Sequence, residues 1–123
     1  MRLLLDTHVA IWWLSGDGRL SVSTRSAIES ADEAYLSVVS LWEILIKQDR
    51  GRLDLPVGFA DALREDFADL PLHAEHVTGA RGLPPIHRDP FDRMLVAQAR
   101  AEALTVVTAN RLVAAYGVPI IAA

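Results

Sequence analysis

The chain has 123 residues, enough for one buried core and too few for two. An apolar fraction of 51% against 23% charged residues excludes a disordered tail, and the lack of cysteine excludes disulfides and thiolate metal sites. The net charge of −4, from 16 acids against 12 bases, argues against binding nucleic acid by bulk electrostatics.

No apolar run approaches the length that spans a bilayer, and the opening Leu3-Leu4-Leu5 meets an acid at once, unlike a secretion signal. A soluble, cytoplasmic protein without membrane contact is the expectation. Leu3-Leu4-Leu5 reads as a short buried strand, and Asp6-Thr7 starts a helix through Val9, Ile11, Trp12, Trp13 and Leu14. Gly16-Asp17-Gly18 is a turn. Ser23 can cap a second, amphipathic helix carrying Ala27 and Ile28, and Ala34 to Val38 reads as the next strand. Ser40 opens a third helix that ends at Gly51, with Lys47, Arg50 and Arg52 around its carboxyl end.

A helix from Val57 to Phe67 follows, then a short strand at Leu70-Pro71-Leu72 and a helix from Ala74 to Arg81. The clearest helix runs from Asp89 to Ala103, with Asp89 as N-cap, Pro90 in the first turn and Asp92 at the third position. Leu104 to Thr108 is a buried strand, Arg111 to Tyr116 a short helix and Val118 to Ile121 a closing strand. Strands alternating with helices imply an α/β fold in one domain over 1–123, with a parallel sheet covered on both faces. There is no repeat, low-complexity segment or linker.

In such sheets ligands bind outside the carboxyl ends of the strands. Asp6 and Asn110 directly follow strands, while Glu43 and Asp92 lie near helix starts, which fall at the same edge. Carboxylates gathered there repel one another unless a hard divalent cation neutralises them. Setting aside Asp6, Glu43, Asp89 and Asp92 leaves twelve acids and twelve bases, so the excess charge equals the candidate site.

Each acid has a plainer reading. Asp6 can cap the helix that follows it, although Thr7 can take that role and release Asp6. Glu43 can pair with Lys47 one turn on, worth about 0.2–0.5 kcal/mol. Its apolar neighbours Leu41, Trp42, Ile44, Leu45 and Ile46 leave little of that helix in water, and a buried carboxylate needs a partner or a metal. Of Asp89 and Asp92, one caps and the other is free for chemistry; pattern alone does not choose. His73 and His76 have helical spacing but no third nitrogen or sulfur ligand, which disfavours zinc. His8 and His87 stand beside site residues, with a surface location the plainer reading. For Trp12-Trp13, core packing competes with stacking on bases. Eleven of the twelve bases are arginine, suited to bidentate phosphate contacts.

Leu3-Leu4-Leu5-Asp6-Thr7-His8, Ser37-Val38-Val39-Ser40-Leu41-Trp42-Glu43-Ile44 and the run from His87 to Ala99 resemble, in order and spacing, the three acidic motifs of PIN-domain ribonucleases. Within them the likeness is to the VapC-type toxins of type II toxin–antitoxin pairs, and it extends through Val107-Thr108-Ala109-Asn110 over essentially the whole chain. The resemblance implies a three-layer α/β/α sandwich around a short parallel sheet, a homodimer and a cognate antitoxin that covers the site. It implies Mg²⁺- or Mn²⁺-dependent endonucleolytic cleavage of RNA to 5′-phosphate and 3′-hydroxyl ends. Asp6, Glu43 and Asp92 would be the catalytic metal ligands, supported by Thr7, Asp89, Thr108 and Asn110, with Arg88, Arg93 and Arg111 at the RNA phosphates.

One departure stands out: family members often carry aspartate where this chain has Asn110, which offers a carbonyl oxygen but no charge. A non-catalytic RNA- or protein-binding module on the same scaffold is therefore the main alternative. A phosphatase with Asp6 as nucleophile would want a second aspartate two positions on, where His8 stands. No glycine-rich phosphate loop follows a strand, which disfavours a nucleotide-binding module.

Overall fold

A computed structural model describes residues 1–123. In chain order the elements are β1 (Arg2–Leu5), α1 (Thr7–Ser15), α2 (Val22–Glu29), β2 (Glu33–Ser37), α3 (Val38–Asp49) and α4 (Phe59–Asp66). Then come β3 (Ala68–Leu70), α5 (Ala74–Arg81), α6 (Pro90–Glu102), β4 (Thr105–Thr108), α7 (Arg111–Ala114) and β5 (Ile120–Ala122). All neighbouring strands are parallel, in the order β3-β2-β1-β4-β5.

Alternation along the central strands divides the interior into two cores. Leu3 and Leu5 join Val107 on one face, against Val9, Ile28, Ile44 and Leu63 of α1 to α4. Leu4 and Val106 face the other way, onto Leu95, Val96 and Ala99 of α6 and Val113 of α7. Leu3, Leu4 and Leu5 are fully buried, so each contributes about 1.5–3 kcal/mol of transfer free energy. The result is the expected three-layer α/β/α sandwich.

Strand order reverses between β1 and β4, because β2 and β3 lie to one side of β1 while β4 and β5 lie to the other. In open parallel sheets, ligands bind outside the carboxyl ends of the strands at such a reversal. Asp6 follows β1, and Asn110 lies two residues beyond β4.

Several boundaries differ from expectation for local reasons. Ser21, not Ser23, caps α2, its hydroxyl accepting the Thr24 N–H at 3.2 Å. Ser37, not Ser40, caps α3 by accepting the Val39 N–H at 3.0 Å, so Val38 and Val39 turn helical despite their β preference. Gly58 takes a left-handed φ of 82°, which delays α4 to Phe59. β3 stops at Leu70 because Pro71 has no N–H to continue a ladder. Gly51, also left-handed at φ 67°, follows α3 as expected.

Candidate active site

Asp6 is the N-cap of α1, but its own helix holds it weakly: the His8 N–H lies 3.4 Å from Oδ1. The stronger bond crosses to the next strand, where Thr108 Oγ1 donates to Asp6 Oδ2 at 2.6 Å, the short distance of a charge-assisted contact. Thr108 in turn accepts the Asn110 N–H at 3.0 Å. Thr7 does not replace Asp6 as cap; its hydroxyl is buried and donates to Ser40 Oγ at 2.9 Å. This ties the start of α1 to the first turn of α3, the helix that carries Glu43.

Glu43 is only 3% exposed. Its Oε2 accepts from Lys47 Nζ at 2.7 Å, so the pairing read as the plainer alternative exists inside a buried setting. Asp92 lies in the first turn of α6, and the choice between the two acids there is resolved. Asp89 caps the helix by accepting the Phe91 N–H at 2.9 Å, while Asp92 turns to His87, with Nε2 and Oδ2 3.0 Å apart.

Burial, followed by the negative charges of Asp6, Asp89 and Glu43, pushes the Asp92 carboxyl up to about 7; only Lys47 opposes them. Asp6, Glu43 and Asp89, from three distant chain segments, therefore all act on Asp92 beside the β1/β4 strand reversal. No three His, Asp or Glu side chains form a ready-made cage around one ion. The donor chemistry nevertheless fits a hard cation: the set is all carboxylate and amide oxygen, and Asp92 is pushed up first by burial and then by its acidic neighbours.

His87 lies deeper than the surface location the sequence suggests. Its ring is largely buried, and it joins Asp89, Asp92 and Asn110. The signal is the spacing His87-Arg88-Asp89, which sets an imidazole two residues before a helix cap. His8, by contrast, is exposed and tilts against Trp12, with ring centroids 6.3 Å apart. His76 is fully buried and occupied at both nitrogens, by the His73 N–H and by Glu102, which leaves neither nitrogen free for zinc. Trp12 and Trp13 pack on the first core, with the guanidinium carbons of Arg19 and Arg25 each 4.9 Å from a ring centroid.

The three arginines separate into two kinds. Arg88 and Arg111 are exposed, with no side-chain hydrogen bond within the protein. Arg93 does not fit the phosphate expectation: it donates to the carbonyls of Ala80, Leu83 and Pro84 at 2.9 to 3.2 Å and approaches Tyr116 Oη. Its guanidinium fastens the loop that leads to His87.

Residues 3–118 match the family model of the PIN domain. The chain belongs to the PIN-domain family. Ribonuclease VapC22 of Mycobacterium tuberculosis is 34% identical over 113 residues, covering 89% of this chain and 87% of the relative. Among solved structures, VapBC2 from Rickettsia felis bound to a promoter DNA fragment superposes with a TM-score of 0.75 at 13% identity, covering 99% and 98% of the two chains. A toxin–antitoxin complex from Klebsiella pneumoniae gives 0.69 at 17% identity, covering 97% and 95%. At those identities the structural likeness speaks for the PIN fold. No helix of this PIN domain is long and apolar enough to cross a membrane.

Asn110 brings this PIN domain a neutral group beside the acids, where its Oδ1 caps α7 by accepting the Leu112 N–H at 3.0 Å. Asn110→Asp keeps that cap and adds a negative charge. Mn²⁺ titration of the variant is expected to show affinity raised severalfold; an unchanged affinity would remove residue 110 from the charge balance of the site.

Proposed function

We propose that this PIN domain, acting as one nuclease unit over 1–123, is a metal-dependent endoribonuclease and the toxin of a toxin–antitoxin pair. The observation that carries the reading is the gathering of Asp6, Asp89 and Glu43 about a largely buried Asp92, whose carboxyl is pushed up to about 7 by burial and then by those acids. The kinship to a ribonuclease over most of both chains supports the same reaction class.

Asp6, Glu43 and Asp92 would hold Mg²⁺ or Mn²⁺, either directly or through water. Such an ion, when bound, lowers the pKa of water and offsets charge on the attacked phosphate. The chain's own residues arrange this chemistry. Thr108 fixes the Asp6 carboxylate across the strands, and Lys47 keeps Glu43 paired in its buried position. Asp89 starts α6 so that Asp92 points at the cluster, and Arg88 and Arg111 are free to meet phosphates of the RNA backbone. Hydrolysis would leave 5′-phosphate and 3′-hydroxyl ends.

A cognate antitoxin and a second copy of this chain are the proposed partners, in a cytoplasmic setting. Exposed Trp42, Leu45, Val57 and Leu72 give the surface apolar area that such partners would cover. RNA cleavage by purified protein, free of antitoxin, is expected with Mg²⁺ or Mn²⁺ and not with EDTA. Folded protein that binds RNA but cuts none of a broad panel in either metal would instead establish a binding module on the PIN scaffold.

A further inference from the structure

The hydrogen bonds around the His87 ring place its single proton on Nε2. The Asp89 main-chain N–H donates to His87 Nδ1 at 3.0 Å, and the His87 main-chain N–H donates to the buried Tyr116 Oη at 2.7 Å. A ring nitrogen that accepts carries no proton, so the neutral imidazole bears its proton on Nε2. Two groups face that nitrogen: Asp92 Oδ2 at 3.0 Å and Asn110 Nδ2 at 2.7 Å. A carboxyl oxygen accepts the proton; an amide NH₂ does not. Turning the Asn110 amide over would set its NH₂ against the Leu112 N–H, which the amide oxygen now accepts at 3.0 Å. With the amide as it stands, Nδ2 is a second donor against the same nitrogen, and Asp92 Oδ2 is the acceptor that the ring proton meets.

We infer that His87 is a positioning residue of the site: its Nε2–H, fixed in that tautomer by the Asp89 main chain, holds one oxygen of Asp92 and leaves the other free for a cation. The inference rests on the reading of Asp92 as a metal ligand. Partners that orient a ligand in this way are typically worth about 10–100-fold in metal affinity.

The test combines ¹⁵N spectra of histidine-labelled protein with Mn²⁺ titration of the wild type, His87→Ala and His87→Gln. Expected results are a protonated Nε2 and bare Nδ1 in the wild type, and Mn²⁺ affinity at least about tenfold weaker in His87→Ala. His87→Gln, whose amide N–H can reach the Nε2 position, is expected to recover most of that loss. Should His87→Ala fail to fold, the ring spectrum and His87→Gln still decide the matter. A proton on Nδ1, or undiminished Mn²⁺ affinity in His87→Ala, overturns the role of His87 alone. A wild type that binds no Mn²⁺ overturns the metal reading itself.

Discussion

Asp92→Asn is expected to abolish RNA cleavage and, in the metal-free protein, to raise thermal stability above pH 7. In the folded chain the Asp92 carboxyl is pushed up to about 7 from an ordinary 3.8 by burial and by Asp6, Asp89 and Glu43. Between those values the folded form keeps a proton that the unfolded chain has released. The stability this proton gives is complete below about pH 4 and lost as pH rises to about 7; the difference is on the order of a few kcal/mol. Asparagine has no proton to lose and still offers an oxygen to His87 Nε2. Melting in EDTA at pH 5 and pH 8 would check this. The variant should exceed the wild type clearly at pH 8 and little at pH 5. An equal difference at both values would remove the titration account. Added Mn²⁺ should stabilise the wild type and act weakly on Asp92→Asn, because an ion that binds only the folded state raises its stability.

Arg93→Met is expected to cost about 2–3 kcal/mol, the range for charged hydrogen bonds whose partners are left without a donor. Its three carbonyl acceptors lie between Ala80 and Pro84, at the end of α5 and in the loop that carries His87. Urea unfolding reads the loss directly, and an unchanged midpoint would make Arg93 a candidate for phosphate binding again. Arg88→Ala and Arg111→Ala should behave in the opposite way. Both residues are exposed and unpaired, so stability stays within about 0.5 kcal/mol. RNA affinity should fall. The salt dependence of binding should lessen by about 0.7 log units per decade of salt for each phosphate no longer neutralised.

How much of this is legible in the sequence depends on what kind of signal each residue carries. The Asp89-Pro90 start of α6 is readable because capping is local chemistry, spelled out within four residues. Convergence of Asp6, Glu43 and Asp92 is readable because alternating strands and helices impose a shared edge, whatever the side chains do. Ser40 looks like a cap in sequence because its real partner, Thr7, lies 33 residues away and nothing nearby announces it. Arg93 misleads for a related reason: a helical arginine beside an acid looks the same whether its guanidinium faces solvent or a neighbouring loop. His87 is easily undervalued because Asn110 lies 23 residues away and the direction in which Asp92 leaves its helix is not written in the local sequence. Fold class lives in periodicity, whereas second partners live in packing.

The bond from Thr108 to Asp6 joins residues 102 positions apart, and β1 has no neighbour on that side until β4 exists. A chain emerging from the ribosome therefore carries Asp6 and Glu43 long before it carries the strand that fixes the first and the helix that brings Asp92. Domains are made from the amino end at about 5–20 residues per second, so several seconds separate the first acid from its partners. Through that interval the nascent polypeptide has no assembled acidic cluster beside the RNA that encodes it. On this topology the acidic cluster is complete only once nearly all of the sheet has been synthesised.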